Sequence, residues 1–348
     1  MQRIDLVSRL GLKYPLIVAP MAGGPSSPEL VAVASMTGAL GSVGAAYSKP
    51  PAIAEFAHAV RNQTERPFAI NLFAPHAHPV VSAGQMDNAV QATAAYRREL
   101  GLPAPQLVPP YEEPFDAQFE AMLRAKPAVF SFVFGLLPAD YLKAAHTENI
   151  IVIGTATTLE EASALQETGV DAVCLQGIEA GGHRGMFDAG AADKEIKTFD
   201  LLLACRPKIS VPLIAAGGIM NAKDIQDALQ HGAQAVQMGT AFLACRESGI
   251  SAPYKAALLQ NPTRVTQTTR VFSGRLARGI PNRFMREMEP EPDAILPFPA
   301  QNSFTRDLRN ASAAKGLADF LSLWSGTGAG ELWQGSAGPL IKTLFNSP

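Results

Sequence analysis

The sequence has no closely spaced cysteines: Cys174, Cys205 and Cys245 are its only three, odd in number and set in apolar segments. That excludes a disulfide framework or a cysteine metal site and points to a reducing, cytoplasmic setting. Charge of one sign is lacking too. Lys+Arg 29 against Asp+Glu 31 leaves a formal charge of -2, which removes the electrostatic case for nucleic acid or an anionic membrane surface. No membrane span is expected, because the most membrane-like run, Leu30 to Tyr47, is interrupted by Ser35, Thr37, Gly38, Gly41, Ser42 and Gly44. The opening MQRIDLVSRLGLKYP lacks the continuous apolar core of a signal peptide. Long repeats and low-complexity tracts are missing, and no strand runs into G-x-G-x-x-G, which disfavours a Rossmann site.

What is there is a rhythm. Short runs rich in Val and Ile recur at Leu16 to Ala19, Gly41 to Ala46, Phe68 to Ala74, Ala128 to Phe134, Ile150 to Thr155, Ala172 to Gln176, Leu213 to Ala216 and Ala235 to Met238. They read as strands buried on both faces. Helical segments such as LEEASALQETG and AKDIQDALQHG lie between them, and a helix is expected from Pro28 to an exit at Gly38. Eight such strands close most economically as a parallel α/β barrel, the TIM (β/α)8 architecture.

In 348 residues with 47% hydrophobic side chains there is room for that barrel and additions. Residues 1–244 are expected to form it. Residues 245–348 read as a mainly helical extension that packs on the barrel and caps its mouth, and Pro75 to Tyr111 reads as a loop insertion, a lid with a helix from Val80 to Leu100.

The chemistry is expected where the strands end. The sixth strand empties into QGIEAGGHRGMF, with Gly177, Gly181, Gly182 and Gly185 around His183, a loop through which a flat ligand approaches the main chain closely. After the seventh and eighth strands come Gly217-Gly218, with Asn221 to open the next helix, and Gln237-Met238-Gly239-Thr240. Those are the barrel's usual phosphate-binding positions, and their N–H groups and hydroxyl suit a phosphate. Asn71 follows an apolar run and Gln176 ends another, neutral amides that match the mixed donors and acceptors of a flavin ring edge. Each has a plain alternative: a tight turn for the glycines, a satisfied buried amide for Asn71 and Gln176, a loop histidine for His183. Their coincidence at one end of the barrel favours the site. No metal is expected, since His76-x-His78 reads as a polar loop beside Pro75 and Pro79. The arginines between Arg264 and Arg286 read as a solvated or ion-paired face, or a subunit contact.

These pieces resemble the nitronate monooxygenase family, formerly 2-nitropropane dioxygenases. The likeness rests on APM (Ala19 to Met21), INLF around Asn71, LQGIEAGGHRG (Leu175 to Gly185), AAGGI (Ala215 to Ile219) and QMGT (Gln237 to Thr240), with FSGRLARGIPNRF and LWSGTG in the tail resembling the class I branch. The resemblance implies bound FMN, contacted by Asn71, Gln176, Gly181, Gly218 and Gln237 to Thr240, and a catalytic His183. It implies oxidation of an alkyl nitronate such as propionate 3-nitronate through a flavin semiquinone, with O2, to a carbonyl compound and nitrite. His183 serves either as imidazolium attracting the nitronate or as imidazole removing the α-proton of a nitroalkane. Four readings stay open: the monooxygenase, an NAD(P)H-dependent FMN reductase of the quinone or enoyl-acyl-carrier-protein type, a flavin-free lyase or isomerase, and a non-enzymatic flavin-binding protein. A homodimer is left open as well.

Overall fold

The computed structural model describes residues 5–346, so the outermost ends of the regions expected at 1–244 and 245–348 lie outside it. Strands β1 (Leu16–Val18), β2 (Gly41–Gly44), β3 (Phe68–Phe73), β4 (Val129–Val133), β5 (Ile151–Ala156), β6 (Ala172–Gln176), β8 (Leu213–Ala216) and β9 (Ala235–Met238) form one parallel sheet. A two-residue strand, β7 (Gly182–His183), interrupts the numbering and belongs elsewhere. The sheet closes on itself, since β1 pairs with β9 and Ile17 bridges to Leu40 just before β2. This is the TIM barrel, with helices between consecutive strands.

Alternation along the strands builds two cores. Leu16, Val18, Ile70, Leu72, Phe130, Phe132, Val152 and Val173 point outward to the helices, while Ile17, Ala69, Val129, Ile151, Cys174 and Ile214 fill the barrel. Leu6 and Leu10 plug the barrel's lower end. The helix Pro28–Thr37 starts where its signals are: the Ser27 side chain accepts from Leu30 N, and Gly38 ends it at φ 105°.

The insertion and the tail pack together. The helix Ala83–Leu100 begins at a Ser82 capping box, three residues later than expected from Val80. Its buried Arg97 donates to Asp307 at 2.6 and 3.2 Å and to the Phe304 carbonyl at 3.0 Å. Tyr96 and Leu100 share a core with Phe272, Phe284, Leu308 and Phe320. The tail is not purely helical. Strands β10 (Gln267–Thr269) and β11 (Ala277–Gly279) form a hairpin, and β11 pairs with β7. The arginine-rich stretch is therefore internal structure, which corrects the solvated-face reading: Arg264 and Arg275 are buried, and only Arg283 makes the expected exposed pairs, with Glu99 and Glu287.

Candidate active site

At the C-terminal end of the barrel the inward-facing positions change from apolar to polar. Ala69 is followed by Asn71, Val129 by Ser131, Ile153 by Thr155, Cys174 by Gln176 and Ala235 by Gln237. Above them opens a cleft with about 1260 Å³ of empty space, counted out to solvent. Asn71, Gln176, Gly181, Gly182, His183, Gly217, Gly218 and Gln237 to Thr240 line this one cleft, whereas Gly177, Gly185 and Asn221 stand outside its lining. Asn71 donates one amide N–H to Ser131 Oγ at 3.0 Å.

The His183 loop is held from below and from the side. Gln176 donates to the His183 carbonyl at 3.0 Å, and its oxygen accepts from Gly185 N at 2.8 Å and Arg184 Nη1 at 2.9 Å. Gln176 thus clamps the loop as well as lining the cleft. Arg184, about 1% exposed, also donates to the Gly177 carbonyl and pairs with Asp193 at 2.6 Å. Burial alone raises the Asp193 carboxyl, and the Arg184 hydrogen bond and charge more than reverse this, holding it below its usual range.

The pairing of β7 with β11 sets His183 beside Ala277 and brings its Nε2 to 2.8 Å from Ser273 Oγ. Ser273 in turn bonds the Arg275 main chain, accepting from its N–H at 3.2 Å and donating to its carbonyl at 3.1 Å. A hydroxyl has one proton. With that proton on the Arg275 carbonyl, Ser273 accepts from His183 Nε2–H and the lone pair stays on Nδ1. Burial, then the charges of Arg275 and Arg309, lower the imidazole to about 3, so the free site holds neutral histidine at physiological pH. This direction favours the imidazole over a standing imidazolium.

The space around His183 is aromatic. Phe73, Phe134, Phe298 and Trp324 have ring centroids 6.4, 5.8, 6.2 and 5.6 Å from the imidazole. Arg275 stacks 3.8 Å over Phe134 and donates to the Met186 carbonyl. Among the described residues, no Asp, Glu, Lys or Arg lines the cleft itself.

Opposite His183, Gly217 and Gly218 have φ 118° and 72°, conformations that side chains rarely adopt. Thr198 Oγ1 lies 2.9 Å from the Gly217 carbonyl and 3.0 Å from the Glu179 carboxylate, alternative acceptors for its one proton, and Glu179 also accepts from Thr198 N–H at 3.0 Å. A tail segment closes this side. Gly326 N donates to Thr240 Oγ1 at 3.0 Å, Thr327 N to the Glu179 carbonyl at 3.0 Å, and Tyr254 OH to the Trp324 carbonyl. A side-chain carbon on Gly181 would come within 2.5 Å of Gly326 N, so these two segments touch backbone to backbone. The loop histidines lie at the edge: His76 Nε2 and His78 Nδ1 approach Glu112 Oε1 at 3.2 and 3.4 Å.

Sequence reading missed Tyr47, the aromatic enclosure, Ser273, the paired arginine and the Trp324–Gly328 wall. The SGTG in the tail and the serine of FSGR are the signals that were available for the wall and for Ser273.

The model of the family described as nitronate monooxygenase matches residues 5–347. The chain belongs to the nitronate monooxygenase family. It is an oxidoreductase by that membership. A probable nitronate monooxygenase of Bacillus subtilis (strain 168) is 36% identical over 346 residues, 98% of this chain and 97% of the relative. One of Staphylococcus haemolyticus (strain JCSC1435) is 36% identical over 324 residues, covering 92% and 90%. Among solved structures, nitroalkane oxidase from Streptomyces ansochromogenes superposes with TM-score 0.89 at 35% identity, covering 96% of this chain and 95% of that one. FabK from Thermotoga maritima is similar at TM-score 0.74 and 26% identity, over 99% and 95%.

Proposed function

We propose that the cleft binds FMN and that the protein oxidises alkyl nitronates, propionate 3-nitronate among them, with O2 to a carbonyl compound and nitrite. The observation that carries this reading is His183 in an aromatic chamber, on the same cleft as the glycine loops after β8 and β9.

The residues present fit the cofactor. Gly182 has φ 75° and nothing within 4 Å of where a side chain would begin, a gap into which a flat group fits against the main chain. Gly217, Gly218, Gly239 and Thr240 would hold the phosphate; Asn71, Gln176, Gly181, Gly182, Gln237 and Met238 would meet the ring system and its chain. When bound, FMN supplies the electron acceptor that the side chains here lack.

The side chains bind and orient. A histidine that takes a proton only near pH 3 is poorly matched to pulling one from a neutral nitroalkane at pH 7. The site therefore suits a substrate that arrives already ionised, as a nitronate. Ser273 takes the imidazole N–H and fixes the ring of His183 where it borders the substrate space, and the aromatic rings exclude water. Arg275 and Arg309, close enough to act on His183, favour an anion there. The three cysteines are free and buried, which supports action in a reducing compartment, the cytoplasm.

The test is a purified, FMN-loaded protein given propionate 3-nitronate in air, with nitrite and oxygen uptake measured together. Stoichiometric nitrite is expected. A second cuvette without air receives NADH; prompt flavin bleaching there, with no nitrite in the first, would replace this reading with the reductase.

A further inference from the structure

Tyr47 follows β2 at the mouth of the barrel and lines the same cleft as His183. Its ring meets Phe73 edge-on, with centroids 5.4 Å apart at 84°, so it belongs to the aromatic chamber. Its hydroxyl is buried and has no hydrogen-bond partner in the protein. An unpaired buried hydroxyl is destabilising, a cost that is relieved when a ligand supplies the partner.

The surrounding charge says what kind of partner. Arg309 and Arg306 act on the phenol, opposed by Glu112, and Arg309 acts on His183 as well. The Arg309 guanidinium is held by the Asn302 carbonyl at 2.7 Å and its side-chain oxygen at 2.8 Å, with no carboxylate paired to it among the described residues. Burial keeps the phenol protonated, pushed up to about 12, which makes it a donor. A fixed O–H donor in a positive field, walled by rings, fits an oxygen that carries negative charge.

We propose that the Tyr47 hydroxyl donates a hydrogen bond to an anionic oxygen of the substrate's nitronate group, opposite His183. The identification of the anion as a nitronate rests on the function proposed above; the assignment of an anion contact to Tyr47 does not.

Tyr47→Phe removes only the oxygen and keeps the ring against Phe73. The FMN-loaded wild type and variant are compared in three ways: bound flavin per chain, kcat/KM with propionate 3-nitronate, and calorimetric titration with nitrate, a planar monoanion of similar shape. Unchanged flavin content is expected, with kcat/KM lowered ~10- to 100-fold and the nitrate Kd raised ~10-fold, the scale of one hydrogen bond to a charged group. Equal nitrate affinity in the two proteins overturns the proposal. So does loss of flavin from the variant, which would make Tyr47 a cofactor contact. Wild-type protein that binds nitrate through Tyr47 but releases no nitrite would overturn the monooxygenase reading and leave the anion contact standing.

Discussion

His183 Nε2 and Ser273 Oγ lie 2.8 Å apart although ninety residues separate them in the chain. The contact exists because β11, in the tail, pairs with the two-residue strand that carries the histidine. The residue from the barrel loop is thus aimed by a residue outside the barrel.

Ser273→Ala should leave the fold and flavin content intact while releasing the imidazole. We expect kcat/KM with a nitronate to fall ~10- to 100-fold, as for loss of a positioning hydrogen bond. Ser273→Thr, which keeps a hydroxyl, should recover part of the loss; equal activity in wild type and the alanine variant would remove Ser273 from the mechanism.

Acid should weaken the protein through His183. The unfolded chain takes up this proton near pH 6.5, whereas the folded site resists it down to about 3. Between those values the unfolded state binds more protons, so stability falls as the pH is lowered from about 6.5. Thermal melts from pH 7 to 4 should show a steeper decline for wild type than for His183→Asn. The same variant should hold FMN and lose most activity. The pH profile of kcat/KM should carry no step near 6.5 that the variant abolishes.

Asp193→Asn leaves the buried Arg184 guanidinium without its anion. Breaking one partner of a buried pair costs about 3–5 kcal/mol. Urea unfolding should show that loss, together with weaker flavin retention, because Arg184 also ties down the carbonyls of Gln176 and Gly177.

Gly181→Ala tests the close approach of the tail. The added carbon would meet Gly326 N and Ser325 C at 2.5 Å each, so the wall must move outward. Activity should drop while the far-ultraviolet circular dichroism of the barrel stays as in wild type. Full activity would show that the wall yields without consequence for the site.

The barrel was legible because each strand carries its own signal. Runs such as Ile151–Ala156 and Ala172–Gln176 are apolar on both faces, and their ends turn to Thr155 and Gln176 at the mouth. Gly217-Gly218 was legible for a similar reason, directly after a strand, and His183 because it stands in the glycine-rich loop that opens after Gln176. The chamber was not. Phe73, Phe134, Phe298 and Trp324 come from four distant segments, and none differs in sequence from an ordinary core aromatic. The arginines misled because charge in a linear stretch says nothing of partners elsewhere. Arg270, Arg275 and Arg278 donate to the carbonyls of Ala189, Met186 and Ile178, contacts that only the β7–β11 pairing creates.

The wall at Trp324–Gly328 ties the site to the order of the chain. All eight barrel strands precede the wall in the chain, so a sheet closed without residues 324–328 would have an open cleft beside Gly181. A stop before Trp324 would remove that wall together with the helix Ala337–Asn346, which packs on Pro28–Thr37, so the mouth and the outer layer of the barrel would be lost at once.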